Sequence, residues 1–94
     1  MAVVDVEYLV FSNILANYPT ECVEHNLAPN SNLIEDLDLS SMEIYYLGLS
    51  IEKELQEMNL PSLTDKDIMG WKTVKDIIYT IANMPGVVNE ERPV

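Results

Sequence analysis

Apolar residues recur at every third or fourth position in three segments of the chain, which is the spacing of one face of an α-helix. The first predicted helix covers residues 3–17 and ends before Pro19, because the residue preceding a proline is disfavoured in the helical region. The second covers residues 40–58, and the last begins after Thr73 and stops at Pro85. The residues predicted to face inward are Val3, Val6, Val10 and Ile14 in the first helix, Ile44, Leu47, Ile51 and Leu55 in the second, and Val74, Ile77, Ile78 and Ile81 in the last.

The segments between these helices follow a different pattern. Residues 18–39 are rich in Pro, Asn and Ser and have no sustained period, which predicts a long loop. A short helix is predicted after Thr64, with Asp67 in the position of a capping box and Gly70 at its end. No segment alternates as a strand does. The predicted fold is therefore all-α: a small bundle of three main helices plus one short helix, with a long first loop. Residues 1–84 are expected to form this domain and residues 85–94 a flexible tail.

Two adjacent serines begin the second predicted helix. Ser40 is followed three positions later by Glu43, the spacing of a capping box, which makes Ser41 the first helical residue. A hydroxyl at a helix N-terminus is also well placed to carry a phosphate, because unpaired amides and the macrodipole favour negative charge there. The same helix has a second apolar set beside its core face, which is expected either to contact a further partner or to pack beneath the long loop. That set is Met42, Tyr45 and Leu49, with Tyr46 beside it.

The charge of the chain indicates its class of partner. Sixteen Asp and Glu against five Lys and Arg give a formal net charge of −11. All five bases follow residue 52, and nine of the acids precede it or stand at it. Nucleic acid is therefore not expected as a partner, since phosphate binding needs basic side chains. An acidic chain is instead steered toward basic surfaces of other proteins, and its self-repulsion favours a monomer.

Length and residue types also argue against an enzyme or a metal protein. Ninety-four residues provide one small core and no deep cavity. Cys22 and His25 are too few ligands for a zinc site or a catalytic triad. The alternating Asp36, Asp38 and Ser40 lack the glycine and the final Glu of a calcium loop. No apolar run approaches the ~20 residues of a membrane span, and no signal-peptide pattern begins the chain, so a cytoplasmic location is expected.

Two stretches, "NLIEDLDLSSMEIYYLGLSIEKEL" and "LTDKDIMGWKTVKDIIYTI", resemble the acyl carrier proteins, a family of small acidic helical bundles. In looser form the resemblance covers roughly residues 3–83. The family's acidic approach, its serine and the acid two places after it correspond to residues 35–37, Ser41 and Glu43. Met42 stands for the leucine that usually follows the serine, and Leu55 for the apolar residue that ends the helix.

The resemblance implies that Ser41 carries 4′-phosphopantetheine, joined as a phosphodiester and ending in a thiol. It also shows departures. Ser40 stands where the family usually has an aspartate that helps the modifying enzyme and its Mg²⁺ engage the carrier. A glycine that is common before the serine is replaced by Asp38 or Leu39. These departures indicate a specialised member of the family, adapted to a restricted set of partner enzymes.

The function implied is that of a carrier, not an enzyme, which holds acyl groups as thioesters in fatty-acid, polyketide or other specialised biosynthesis. Its partners would be a phosphopantetheinyl transferase, an acyl-loading ligase or acyltransferase, and synthase or tailoring enzymes with basic docking surfaces. The residues predicted to bind partners are Met42, Glu43, Tyr45, Tyr46, Leu49 and Glu52. Two alternatives stay open: an unmodified helical interaction module with the same fold, and a peptidyl or aminoacyl carrier.

Overall fold

Five helices and two short strands make up the computed structural model, which describes residues 2–89. In chain order they are β1 (Ala2–Val4), α1 (Val6–Asn17), α2 (Glu21–Asn26), α3 (Ser41–Glu57), α4 (Asp65–Met69), α5 (Val74–Ala82) and β2 (Val87–Asn89). The three longest helices, α1, α3 and α5, are the three main helices that the sequence predicts. The helix α4 is the predicted short helix, capped by Thr64 with Asp67 in its capping box.

The core lies where α1 packs against both α3 and α5. The inward residues predicted for α3 are all buried, as are three of the four in each of α1 and α5. Ile78 is only half-buried. Val3 is 66% exposed, because α1 begins at Val6 rather than at residue 3. Asp5 caps this helix, and its Oδ1 accepts a hydrogen bond from the Tyr8 N–H at 3.1 Å.

A two-stranded sheet joins the beginning of the described chain to its end, so the prediction that the fold has no strand is wrong. The strands β1 and β2 run parallel, with Val3 opposite Val88. The Asn89 side chain also accepts a hydrogen bond from the Val6 N–H at 3.3 Å, at the start of α1. Part of the expected flexible tail is thus paired, while residues 90–94 lie outside the described residues.

The long first loop contains a helix that the sequence analysis missed. Thr20 caps α2, and its hydroxyl accepts a hydrogen bond from the Val23 N–H at 3.2 Å. The rest of the loop is bound to the start of α5, where Leu33 N–H donates to the Lys72 carbonyl at 2.9 Å. Of the four large aliphatic residues in this loop, Leu33 and Leu37 are buried, Leu27 is half-buried and Ile34 is exposed.

One glycine sets the distance between α3 and α4. Gly48 is buried within α3, and a Cβ atom built on it would lie 2.6 Å from Cδ1 of Ile68 and 2.8 Å from its Cγ1. Such distances are too short for any side chain, so the absence of one allows α4 to approach α3 closely. Past α4, buried Trp71 donates from its Nε1 to the Thr80 hydroxyl at 3.0 Å and holds the corner before α5. None of the helices within residues 2–89 is long and apolar enough to cross a membrane.

Candidate functional site

The start of α3 is built by the capping box that the sequence predicts. The Ser40 hydroxyl accepts a hydrogen bond from the Glu43 N–H at 3.1 Å, and Glu43 Oε1 accepts one from the Ser40 N–H at 2.9 Å. The Ser40 carbonyl accepts the first helical hydrogen bond, from the Ile44 N–H at 3.0 Å. Ser40 is therefore the N-cap and Ser41 the first helical residue, which confirms the predicted helix start.

The two serine hydroxyls differ in their surroundings. That of Ser40 is engaged by the cap, whereas Ser41 is exposed and its hydroxyl makes no hydrogen bond within residues 2–89. The N–H groups of Ser41 and Met42 likewise donate to no other group in that part of the chain, as expected for the first turn of a helix. An exposed hydroxyl thus lies beside two unpaired amides at the positive end of a helix of 17 residues.

The backbone turns sharply just before this site. Asp38 has a φ of 56°, in the left-handed region that most residues other than glycine avoid. The turn places Leu37 and Leu39 in the core on either side of it and leaves Asp38 exposed. Asp38 therefore has the left-handed backbone conformation that the glycine expected before the serine would readily adopt.

Tyr18 fixes the first turn of α3 to the end of α1, a role that the sequence analysis missed. Its hydroxyl donates a hydrogen bond to the Glu43 carbonyl at 2.7 Å. Partial burial raises the pKa of the Tyr18 hydroxyl, and the neighbouring Glu43 carboxylate and Tyr46 raise it further. The phenol therefore keeps its proton and stays a donor at neutral pH. The bond spans 25 residues, so no local sequence pattern could have revealed it.

Large apolar side chains are exposed along one face of α3. Met42, Tyr45, Tyr46 and Leu49, here called the docking stripe, are each between 37% and 63% exposed. Met42 precedes the two adjacent tyrosines by three and four residues, and Leu49 follows them at the same spacings, so the four side chains lie side by side on the helix. The rings of Tyr45 and Tyr46 are tilted by 60° with their centroids 6.4 Å apart.

The two acids that are predicted to bind partners together with this stripe have different surroundings. Glu43 is half-buried, and its carboxylate is bound by the capping box, so it serves the helix start directly. Glu52 follows Leu49 by three residues and lies on the same side of the helix, also half-buried. Met69, at the end of α4, is 82% exposed and was not among the predicted residues.

Cys22 contacts the chain segment that precedes the site. The Cys22 thiol donates to the Asp36 carbonyl at 3.1 Å, which ties α2 to the turn before Ser40. Within residues 2–89, no group of three or more His, Cys, Asp and Glu side chains is arranged to hold a metal ion. At the start of α3, the Ser41 hydroxyl is thus exposed and makes no hydrogen bond to the residues that the structure describes.

The chain is similar in sequence to known acyl carrier proteins. Over 58 residues it is 38% identical to acyl carrier proteins from three strains of Clostridium perfringens. The matched segment is 62% of this chain and 71% of each relative. No family model matches the chain, and no solved structure matches it significantly.

Proposed function

The chain belongs to the acyl carrier protein family, and we propose that it is a carrier whose Ser41 holds 4′-phosphopantetheine. The arm would bear acyl intermediates as thioesters and present them to successive partner enzymes. The observation that supports Ser41 is its exposed and unengaged hydroxyl at the start of α3. Ser40 is the poorer candidate, because its hydroxyl is bound as the helix cap.

The residues around Ser41 fit the group. A phosphodiester on the hydroxyl would carry negative charge next to the unpaired amides of Ser41 and Met42, where a helix N-terminus stabilises anions. The cap and the bond from Tyr18 hold this turn in place, so the attachment point would stay fixed while an arm moves. When attached, the phosphopantetheine supplies the thiol that forms the thioester; the protein residues supply its position.

The docking stripe gives the proposed carrier a surface for its partners. We propose that a phosphopantetheinyl transferase, a loading ligase or acyltransferase, and synthase or tailoring enzymes each contact it. The exposed stripe is apolar and aromatic, whereas the charge of the whole chain is −11. Partner surfaces that fit would therefore combine an apolar contact with basic residues around it, the first for affinity and the second for rapid encounter.

A second candidate, an unmodified interaction module, is favoured by one observation. Ser40 stands in place of the aspartate that the family usually has beside its modified serine, and a transferase that needs this charge would act poorly. In that case the docking stripe would bind partners without an arm.

Intact-mass measurement separates the two candidates. The full chain is incubated with coenzyme A, Mg²⁺ and a broad-specificity phosphopantetheinyl transferase, together with Ser41→Ala and Ser40→Ala variants. We expect the wild type and Ser40→Ala to gain one phosphopantetheine and Ser41→Ala to gain none. Circular dichroism of each variant controls for folding, because loss of the Ser40 cap costs about 1 kcal/mol.

Two results would contradict the proposal. If Ser41→Ala still gains phosphopantetheine and Ser40→Ala does not, the attachment site is Ser40 and not Ser41. If no folded variant gains mass with any transferase, including one from the same source, the unmodified module is favoured.

A further inference from the structure

Glu43 closes the first turn of α3 with three of its groups at once. Its N–H donates to the Ser40 hydroxyl at 3.1 Å, and its Oε1 accepts from the Ser40 N–H at 2.9 Å. Its carbonyl accepts a third hydrogen bond, from the Tyr18 hydroxyl at 2.7 Å. The first two bonds lie within residues 40–43, whereas the third comes from the end of α1. Tyr18 therefore ties the turn that presents Ser41 to a second helix.

Tyr18 is itself held in place where α1 ends. Its N–H donates to the Ile14 carbonyl at 2.9 Å, and its own carbonyl accepts from the Thr20 N–H at 2.8 Å. Pro19 follows, and its ring restricts the backbone further. The Tyr18 side chain is half-buried and packs against the core. Because backbone and ring are already ordered, the phenol loses little further freedom when it bonds to Glu43.

The first turn of a helix opens more easily than its middle. Only the hydrogen bonds at the helix end have to break, so local opening there costs less than global unfolding. Within residues 2–89, the N–H groups of Ser41 and Met42 donate to no other group, so they do not hold the turn closed. A single hydrogen bond of ordinary strength shifts such an opening equilibrium by about two- to tenfold. The bond from Tyr18 should therefore change how often this turn is open.

We propose that Tyr18 is a positioning residue for the modification of Ser41, an inference that rests on the proposed carrier function. In that reaction the Ser41 oxygen forms a bond to the phosphorus of coenzyme A that bears the pantetheine arm. The bond from this phosphorus to the nucleotide part of coenzyme A breaks, the nucleotide leaves, and the hydroxyl proton passes to a base of the transferase. An open first turn would misplace the attacking oxygen. Tyr18 keeps the turn closed and so raises the fraction of the carrier that the transferase can bind.

Two variants of the full chain test this proposal. Tyr18→Phe removes the hydroxyl and keeps the packed ring, so it tests the hydrogen bond alone. Ser50→Ala is the matched control, because the Ser50 hydroxyl also joins α1 to α3, donating to Asn13 Oδ1 at 3.1 Å. Ser50 lies roughly two and a half helical turns beyond Ser41, so its loss should leave the first turn unaffected. Circular dichroism checks that both variants fold.

Amide hydrogen exchange, followed by NMR on the unmodified chain, reports how often the first turn opens. The N–H groups of Glu43 and Ile44 donate to the hydroxyl and the carbonyl of Ser40, so both are released when the turn opens. We expect Tyr18→Phe to speed exchange at Glu43 and Ile44 by about two- to tenfold. Ser50→Ala should leave exchange at these two amides unchanged.

Timed intact-mass measurements with coenzyme A, Mg²⁺ and the transferase then give kcat and KM for each variant as the protein substrate. We expect Tyr18→Phe to raise the KM for the carrier about twofold or more, because fewer molecules have the closed turn, and to leave kcat nearly unchanged. Ser50→Ala should match the wild type in both constants. A purely structural role of Tyr18 would give no such difference between two folded variants.

Three results would overturn the proposal: unchanged exchange at Glu43 and Ile44 in Tyr18→Phe, an unchanged KM for that variant, or an equal rise of KM in Ser50→Ala. Failure of the proposed function gives a different result. If the wild type gains no phosphopantetheine with any transferase, the carrier role fails, and the role of Tyr18 in modification fails with it. The exchange measurement would still show whether Tyr18 holds the first turn.

Discussion

Ser40 and Ser41 are neighbours in the chain, yet the register of the helix gives their hydroxyl groups separate roles. Ser40 is the helix cap, and its hydroxyl oxygen accepts a hydrogen bond from the Glu43 N–H at 3.1 Å. Ser41 is the first helical residue, and it is exposed to solvent. This difference could be predicted from the sequence, because the spacing of Ser40 and Glu43 fixes the register.

Ser40→Asp should restore the charge that the family usually has beside the modified serine. Aspartate is as good a helix cap as serine, so we expect the free energy of unfolding to change by less than about 0.5 kcal/mol. The added carboxylate should raise the rate of phosphopantetheine transfer by about fivefold or more, through a charge-assisted contact with the transferase or its Mg²⁺. Timed intact-mass measurements give this rate. Ser40→Asn keeps the cap without the charge, and an equal gain in that variant would contradict the explanation.

Two residues at the site could not be assigned from the sequence. Asp38 takes a left-handed conformation, but no pattern around it distinguished Asp38 from Leu39 as the replacement for the expected glycine. Tyr18 was interpreted only as the residue before Pro19, although its hydroxyl supports the Glu43 carbonyl 25 residues later. Local periodicity identifies the helix start, whereas contacts made across the fold depend on the tertiary arrangement.

At the level of elements, the close contact of α3 and α4 depends on Gly48. Glycine within a helix costs up to about 1 kcal/mol relative to alanine, so its presence there needs a reason. The reason is the Ile68 side chain, which fills the space that a Cβ would need.

Gly48→Ala should therefore destabilise the protein by about 1 to 2 kcal/mol, because overpacking outweighs the gain in helix propensity. The free energy of unfolding from urea denaturation measures the effect. The same substitution in an Ile68→Ala background is the control, since it removes the side chain that the new methyl group would meet. If Gly48→Ala costs as much in that background, the contact with Ile68 is not the cause.

The cap of α5 should make stability depend on pH. Partial burial of the Asp76 carboxyl would raise its pKa, but hydrogen bonds from the N–H groups of Lys72 and Thr73 and from the Thr73 hydroxyl outweigh burial and hold it below its ordinary value of 3.8. A lowered folded-state pKa contributes stability that is present above the unfolded value and is lost as pH falls through the folded one.

Asp76→Asn removes this charge and so should destabilise the protein at pH 7 by a few tenths to about 1 kcal/mol. The difference from the wild type should shrink as the pH falls below about 3.8. Urea denaturation of both proteins between pH 7 and pH 3 measures it, with Asp65→Asn on α4 as a control for loss of one charge. A difference that is constant over this range would show that the carboxylate has no such role.

The elements that the sequence analysis missed are short or distant in sequence. The helix α2 has six residues within a segment rich in turn formers, so its cap at Thr20 had no periodic pattern to support it. The strands β1 and β2 have three residues each and pair across 85 positions, from Ala2 to Val87. By contrast, the 17 residues of α3 gave a clear period and a capping box. The C-terminal end of α3 could be placed only approximately from the sequence. In the structure, the left-handed conformation of Asn59 terminates the helix.

At the level of the whole molecule, the net charge and the exposed apolar residues of α3 would act on the partners of the proposed carrier over different distances. The net charge of −11 acts over a long range and speeds encounter with basic surfaces. In the proposed carrier, the docking stripe would then provide contact at short range.

The parallel pairing of β1 with β2 also has a mechanical consequence. Ala2 lies at one end of the ribbon and Asn89 at the other, so tension applied through these residues would slide the strands past each other and load all of their hydrogen bonds together. Single-molecule pulling should therefore show a higher rupture force for the full chain than for a version lacking residues 87–94, and equal forces would contradict this. The two-stranded sheet would thus resist unfolding of the bundle when a moving partner pulls on the protein.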